Sequence, residues 1–342
     1  MPDTFPDETA LPDGWLMREP DERDLAVLAE LRADVHRAAT GSASPDVATV
    51  VSEVTLAGSW TRRQVVAVDP AEVVRAWAAV HDRAAGRTLV HVTVEPGLDV
   101  EDAVASALFA WVERVSLVVP RRRRLPGTQI DTGAFAADAR QQRWLAAAGY
   151  RHTRTWLQMS RPVTGDEHHP GVLTPPRPGV RVRRVRRRTN GLPLARDVQA
   201  IHQVLEESFA DHFNSYRESF PEFVHRLQED PGHAWDQWWL AVIDVDGREV
   251  AGGALVGSVL APDADGVAGS YVDYIGVDRV ARGRGVAKAL LNTAISDAAE
   301  RGRNRIGLEV DDDSPTGADG LYRSLGWETS YVTQSWHRDV TL

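Results

Sequence analysis

The chain repeats itself, and that repetition limits its folding options more than any other feature. The stretch PVTGDEHHPGVLTPPRPG at 162–179 is rich in proline, glycine and charge and has no periodicity, which is the composition of a linker. On each side the pattern is the same: an extended opening (Gly14 to Glu19; Val180 to Arg186), an amphipathic helix, a run of strands, one more helix, another strand, and a short helix ending in a glycine-aromatic pair. The ends align best. WLAAAGYRHTRTWLQMSR at 144–161 parallels LYRSLGWETSYVTQSWHR at 321–338, so Gly149 matches Gly326 and Tyr150 matches Trp327. TLVHVTV at 88–94 and YVDYIGV at 271–277 form a second anchor, each followed by an amphipathic helix. The expected organisation is an N-terminal domain over 1–161, a linker over 162–179 and a C-terminal domain over 180–342. Each domain is expected to be an α/β (α+β) sandwich with one strand-helix-strand crossover.

Composition removes several kinds of chemistry. The 342 residues include no cysteine, so disulfides, thiolate metal sites and a cysteine nucleophile are excluded. His168 and His169 lie in the linker without partner ligands at metal spacing, and no metal is expected. A net charge of −10 argues against a nucleic-acid partner, which would need clustered excess Lys and Arg. The apolar stretches are short and interrupted by charge, and the start MPDTFPDETALPDG lacks a positive n-region. A cytoplasmic protein with no membrane partner, monomeric or homodimeric, is expected.

The chemistry is concentrated in SYVDYIGVDRVARGRGVAKALL at 270–291, a strand, a short turn and a glycine-rich entry into a helix. Gly283 and Gly285 lack Cβ atoms, so a ligand can approach the main chain, and the N–H groups of the first helical turn point at it. Arg282, Arg284 and Lys288 add positive charge suited to two phosphates. A dinucleotide fingerprint is disfavoured because its third glycine position falls on Lys288, and no Gly-Lys-Ser/Thr follows to make a P-loop.

RGRGVAKALL after a strand ending Ile275-Gly276-Val277, followed by LEVDDDSPTGADGLYRSLGW, resembles the GNAT superfamily of N-acetyltransferases, in its tandem-domain form. The resemblance covers residues from about 180 onward and implies tandem GNAT domains, each a mixed, mostly antiparallel sheet flanked by helices. It implies acetyl-coenzyme A (acetyl-CoA) as cosubstrate. Arg282, Gly283, Arg284, Gly285, Val286 and Ala287 would cradle its diphosphate, and the strand Ile275, Gly276, Val277 would align its pantetheine arm. Ser314 stands where many members carry Asn. Tyr322 stands where the family places a tyrosine that protonates the departing thiolate.

Acetyl transfer to an amine also needs a base, because an alkyl amine with a pKa of roughly 10 is mostly protonated at neutral pH. Asp273, Glu309 and Asp311 are candidates, Asp273 being favoured. Alternation would put Tyr271, Asp273, Ile275 and Val277 on one face. By family analogy the acceptor, a small-molecule amine, sits under 208–223, with His212, Phe213 and Trp239 as candidate lining residues and Trp235 and Trp238 nearby. In the first half the matching turn carries Asp99, Glu101 and Asp102, which would repel a diphosphate, and Leu145 stands at the position of Tyr322. The expected activity is therefore acetyl-CoA dependent N-acetylation by the C-terminal half. Acyl-CoA sensing without chemistry, or acetylation of a peptide or protein amine, stay open as alternatives.

Overall fold

In a computed structural model of the chain, residues 11–84, 86–209, 218–314 and 317–342 are described. They form two compact units. The first takes residues up to Trp156 together with Glu229–Pro231 and Val332–Leu342, and the second takes Leu157–Gln228 and Gly232–Tyr331. The second unit thus lacks the last strand of its own half. Such an exchange of terminal strands leaves the order of elements along the chain unaltered, so the pattern of the sequence carries no sign of it.

The first unit contains β1 (Leu16–Arg18), α1 (Leu25–Thr40), α2 (Val47–Thr55), β2 (Arg62–Val68), β3 (Val74–Ala84), β4 (Arg87–Val94), α3 (Glu101–Ser116), α4 (Val118–Arg123), β5 (Gly127–Phe135), α5 (Ala139–Ala147) and the start of β6 (Arg151–Pro162). Strict alternation along β2 sorts its side chains. Val66 and Val68 face Leu28 and Val50 of α1 and α2, while Val65 and Ala67 face Val104, Leu108 and Val112 of α3. Glu101–Arg123 is long and apolar enough to cross a membrane by length and composition, yet it is a core element here, with Leu108, Trp111 and Val112 buried.

The second unit contains β7 (Val180–Arg184), α6 (Ala195–Phe209), α7 (Phe220–Gln228), β8 (His233–Val245), β9 (Arg248–Leu260), β10 (Gly269–Val277), α8 (Val286–Glu300), β11 (Arg305–Asp311), α9 (Ala318–Ser324) and the start of β12 (Glu328–Thr341). Its strands run in the order β11-β10-β9-β8-β7, antiparallel except for the β10–β11 pair. Trp238, Leu240, Ala254 and Val256 pack under α6 and α7. The stripe Val286, Leu290, Leu291, Ala294, Ile295 and Ala298 of α8 is buried, as its helical spacing predicts. In the first unit β1-β2-β3-β4-β5 is joined by β12 from Thr333 onward, antiparallel to β5. Each unit is therefore the mixed, mostly antiparallel sheet with flanking helices that the resemblance implied.

The matched glycine-aromatic pairs close the short helices. Gly149 and Gly326 adopt φ +80° and +90°, and Tyr150 N–H and Trp327 N–H donate back to Leu145 O and Tyr322 O. This is a Schellman cap, in which a left-handed glycine lets the chain reverse over the last turn. Each cap carries an arginine from the matching position of the other half. Arg161 Nε donates to Leu325 O at 2.6 Å in the second unit, and Arg338 Nη1 to Ala148 O at 2.9 Å in the first. A cation on terminal carbonyls suits the negative end of a helix. Glu167 pairs with Arg161 and Glu113 with Arg338, but the first pair is the more buried, at 15% and 9% side-chain exposure against 29% and 45%.

That difference sets an expectation. Arg161→Ala strands a buried carboxylate and should cost about 3 kcal/mol, whereas Arg338→Ala should cost about 1 kcal/mol. Thermal melts followed by near-UV circular dichroism would show the larger drop for Arg161→Ala. Equal drops would contradict the account of the caps.

Candidate active site

β10 enters the site through a bulge. Its register against β9 shifts between Val272, opposite Gly257, and Tyr274, opposite Val256, so Asp273 is the extra residue. The single-face alternation expected for Tyr271, Asp273, Ile275 and Val277 is therefore broken at Asp273. Beyond it Tyr274 and Gly276 face α6, where Tyr274 meets Phe209 and a Cβ on Gly276 would lie 2.8 Å from Ser208 Oγ. Ile275 and Val277 alternate to the other side and are partly exposed. The parallel ladder between β10 and β11 covers only Ser270–Val272 with Ile306–Leu308. Past Leu308 the two strands part, which leaves the main chain of Tyr274–Val277 beside an open slot.

At the end of that slot the chain turns into α8. Asp278 N–H donates to Gly252 O, and the Asp278 carboxylate accepts from Val280 N–H at 2.8 Å, which fixes a tight turn. Gly283 and Gly285 then take φ +77° and +79°, in the left-handed region that an L side chain rarely adopts. Arg282 and Arg284 N–H groups close back onto Arg279 O and Ala281 O, and Ala289 N–H closes the first helical turn on Gly285 O. Among the described residues the amides of Gly283, Gly285, Val286, Ala287 and Lys288 have no protein acceptor. Five free donors at a helix N-terminus form a cradle for a polyanion. Arg282 and Lys288 are exposed beside it, while Arg284 is drawn toward the β8–β9 turn, its Nη1 donating to Asp244 O at 3.1 Å.

The ionisable candidates fall into two groups. Asp273 accepts from Ser258 Oγ at 3.2 Å, and Glu309 accepts from Gln158 Nε2 at 3.0 Å. Desolvation, reinforced by the negative fields of Glu309 and Asp273, pushes the Tyr271 phenol far above its ordinary value. The two carboxylates thus act on one point. Tyr322 lies outside that group. It is 6% exposed, its ring packs against Trp327 at 6.1 Å between centroids, and burial alone pushes its pKa up to about 12. Its hydroxyl has no hydrogen-bond partner among the described residues, so the proton is available to a ligand. Ser314 is half-buried in the turn after β11, its N–H donating to Asp311 O.

The acceptor-side candidates divide. His212 and Phe213 lie outside the described residues. Trp238 and Trp239 are 0% and 2% exposed, and in this structure both are packing residues. Trp235 forms an aromatic cluster with His233 and Trp238.

Comparison with known proteins agrees with this geometry. Residues 200–327 match the model of the acetyltransferase (GNAT) family. Mycothiol acetyltransferase of Kocuria rhizophila is 30% identical over 283 residues, covering 81% of this chain and 82% of that protein. The chain belongs to the GNAT acetyltransferase family. It is an N-acetyltransferase. A GCN5-related N-acetyltransferase from Sphaerobacter thermophilus has the same fold over 97% of this chain and 98% of its own, with a TM-score of 0.71 at 23% identity. A tandem GNAT protein from the clavulanic acid biosynthesis pathway superposes over 95% and 98% of the two chains, with a TM-score of 0.69 at 13% identity.

The first unit carries the matching elements with other side chains. The β4–β5 ladder also ends early, covering only Thr88–Leu89 with Ile130–Asp131, so the parting of strands persists. A cleft of about 430 Å³ remains, lined by Pro96, Gly97, Leu98, Glu101, Asp138 and Arg140 among others. Salt bridges span its mouth. Arg140 bridges Glu101 at 2.7 Å and Asp138 at 3.0 Å, and Asp102 accepts from Trp144 Nε1 and Arg143 Nη2, each at 2.6 Å. Glu101 and Asp102, in the first turn of α3, complement the positive end of its dipole and oppose a further anion there. Leu145 is buried at the position of Tyr322.

Sequence reasoning missed the residues that seat the GNAT turn on the sheet. A Cβ on Gly252 would lie 2.8 Å from Ala281 Cβ, and one on Gly253 would lie 2.5 Å from Val286 Cγ1. Paired glycines inside a strand signal close approach of another backbone and could have been read that way. Gly253→Ala should cost about 1–3 kcal/mol by overpacking against a stiff β-branched side chain. Chemical denaturation measures it; an unchanged midpoint would mean that the turn is not held by this contact.

Proposed function

We propose that the C-terminal half transfers the acetyl group of acetyl-CoA to a primary amine of a small molecule, by direct attack within a ternary complex. The observation that carries this reading is the row of five unpaired amides at Gly283, Gly285, Val286, Ala287 and Lys288, beside a strand whose partner has parted from it. The amides suit a diphosphate, and the open edge of Tyr274–Val277 suits the amide-bearing pantetheine arm, which can add to it as a further strand. No other segment among the described residues joins these two features to a buried tyrosine.

The remaining roles follow from the environments. Asp273 takes the proton of the incoming ammonium, directly or through water, with Glu309 as the neighbouring carboxylate. A main-chain N–H beside the bulge stabilises the oxyanion of the tetrahedral intermediate. Tyr322 returns a proton to the leaving thiolate. A small acceptor is favoured by the similarity to mycothiol acetyltransferase of Kocuria rhizophila.

An acid functions below its pKa, and Tyr322 is held up to about 12. It therefore stays protonated across the working range, and kcat should show no alkaline loss attributable to it up to about pH 10. Tyr322→Phe should lower kcat by about 100-fold while the KM for acetyl-CoA moves less than about threefold. A thiol-release assay with small amines and peptides tests both the variant and the acceptor class. Preference for peptides would overturn the small-molecule reading, and release of no thiol with any amine, alongside normal CoA binding, would leave a sensor. Calorimetry should return one coenzyme per chain, because salt bridges and carboxylates occupy the matching turn of the first unit. Two equivalent sites would refute that.

A further inference from the structure

The proline- and glycine-rich segment after β6 is held against α8. Val163 N–H donates to Asn304 O at 2.9 Å, a single turn at Gly165–His168 packs on α8, and Asn292 Nδ2 of α8 donates to Thr174 O at 2.8 Å. This strap along α8 ends at Arg177. The Arg177 side chain lies over Gly285, where a Cβ would sit 3.1 Å from both its Cδ and its Nε, and its Nη1 donates to Gly283 O at 3.0 Å. A side chain at 285 would press on this arginine by a few tenths of an ångström and would be strained by its positive φ. One of the five N–H groups of the guanidinium is used on Gly283. No carboxylate among the described residues lies within ion-pair distance of it, although most other arginines of the second unit, Arg183, Arg184, Arg186 and Arg301 among them, have one.

We propose that Arg177 is a ligand for the phosphates of the coenzyme, brought to the Gly283–Gly285 turn by the strap and held there by the Gly283 carbonyl. This rests on the reading of that turn as the diphosphate cradle and adds to it a residue outside the 200–327 family segment. An arginine fixed at one N–H on the rim of a cradle keeps the others for phosphate oxygens, and its planar fork is pre-oriented for them. The strap thereby makes coenzyme affinity depend on the segment between β6 and β7.

The test is calorimetric titration of the full chain with CoA and with 3′-dephospho-CoA, for the unsubstituted protein, Arg177→Ala and Arg177→Lys. Arg177→Ala should bind CoA about 10-fold more weakly, with a shallower dependence on salt and an unchanged melting temperature. Arg177→Lys should recover only part of the loss, because a point charge lacks the fork. Loss with both ligands places the contact on the diphosphate, and loss with CoA alone places it on the 3′-phosphate; either supports the proposal. Equal CoA affinity of the unsubstituted protein and Arg177→Ala overturns it and leaves the cradle intact. Absence of CoA binding by the unsubstituted protein removes the cradle and this proposal together. Acetyl transfer by Arg177→Ala should show a raised KM for acetyl-CoA at unchanged kcat, a split that general loosening of the fold would not produce.

Discussion

The second unit is organised around main-chain donors that have no protein partner. Leaving a shielded amide unpaired costs about 1–3 kcal/mol, so a turn with five of them is stable only because water or an anion can reach it. The left-handed pair Gly283 and Gly285 keeps that access open. Everything beneath serves to hold the turn against the sheet. Gly252 and Gly253 admit Ala281 and Val286, and Gly276 admits α6 on the opposite face, so helices close on both sides of β9 and β10 at the point where the ladder to β11 ends. The slot results from close packing on three sides and a missing strand pairing on the fourth.

Electrostatics then divides the labour in the proposed reaction. Asp273 and Glu309 share a field that acts on Tyr271, whereas burial alone governs Tyr322. A group that accepts a proton from an amine and a group that gives one to a thiolate should not neutralise each other, and separation along the slot prevents it. The phenol and an ordinary thiol differ by roughly 3–4 pKa units, or about 5 kcal/mol against transfer. Burial beside Tyr322 would raise the thiol as well, since desolvation penalises every anion, and so would narrow that gap.

Much of this was legible in the chain, and the exceptions have physical causes. The duplication could be read because caps and strand-helix junctions need particular residues at particular spacings: Gly149 and Gly326 both sit at positive φ in Schellman caps. The turn at Gly283–Gly285 could be read for the same reason, both glycines taking positive φ. The bulge at Asp273 could not, since one inserted residue leaves a strand looking regular while exchanging its faces from that point on. Arg177 was hidden by its setting, a proline-rich stretch without periodicity, where contacts depend on tertiary structure alone. Trp239 was misleading because a tryptophan that lines a pocket and one that fills a core look identical in sequence, and its 2% exposure places it in the core.

The exchanged terminal strands bear on how the protein is made. The first unit needs residues 332–342 to cover the edge of β5, and the ribosome delivers them only after the greater part of the C-terminal half. Synthesis at about 5–20 residues per second leaves that edge bare for many seconds after the rest of the N-terminal half has emerged. During that interval the nascent chain presents an unpaired β-edge able to recruit a neighbour, so the N-terminal half completes its sheet only after most of the C-terminal half has been made.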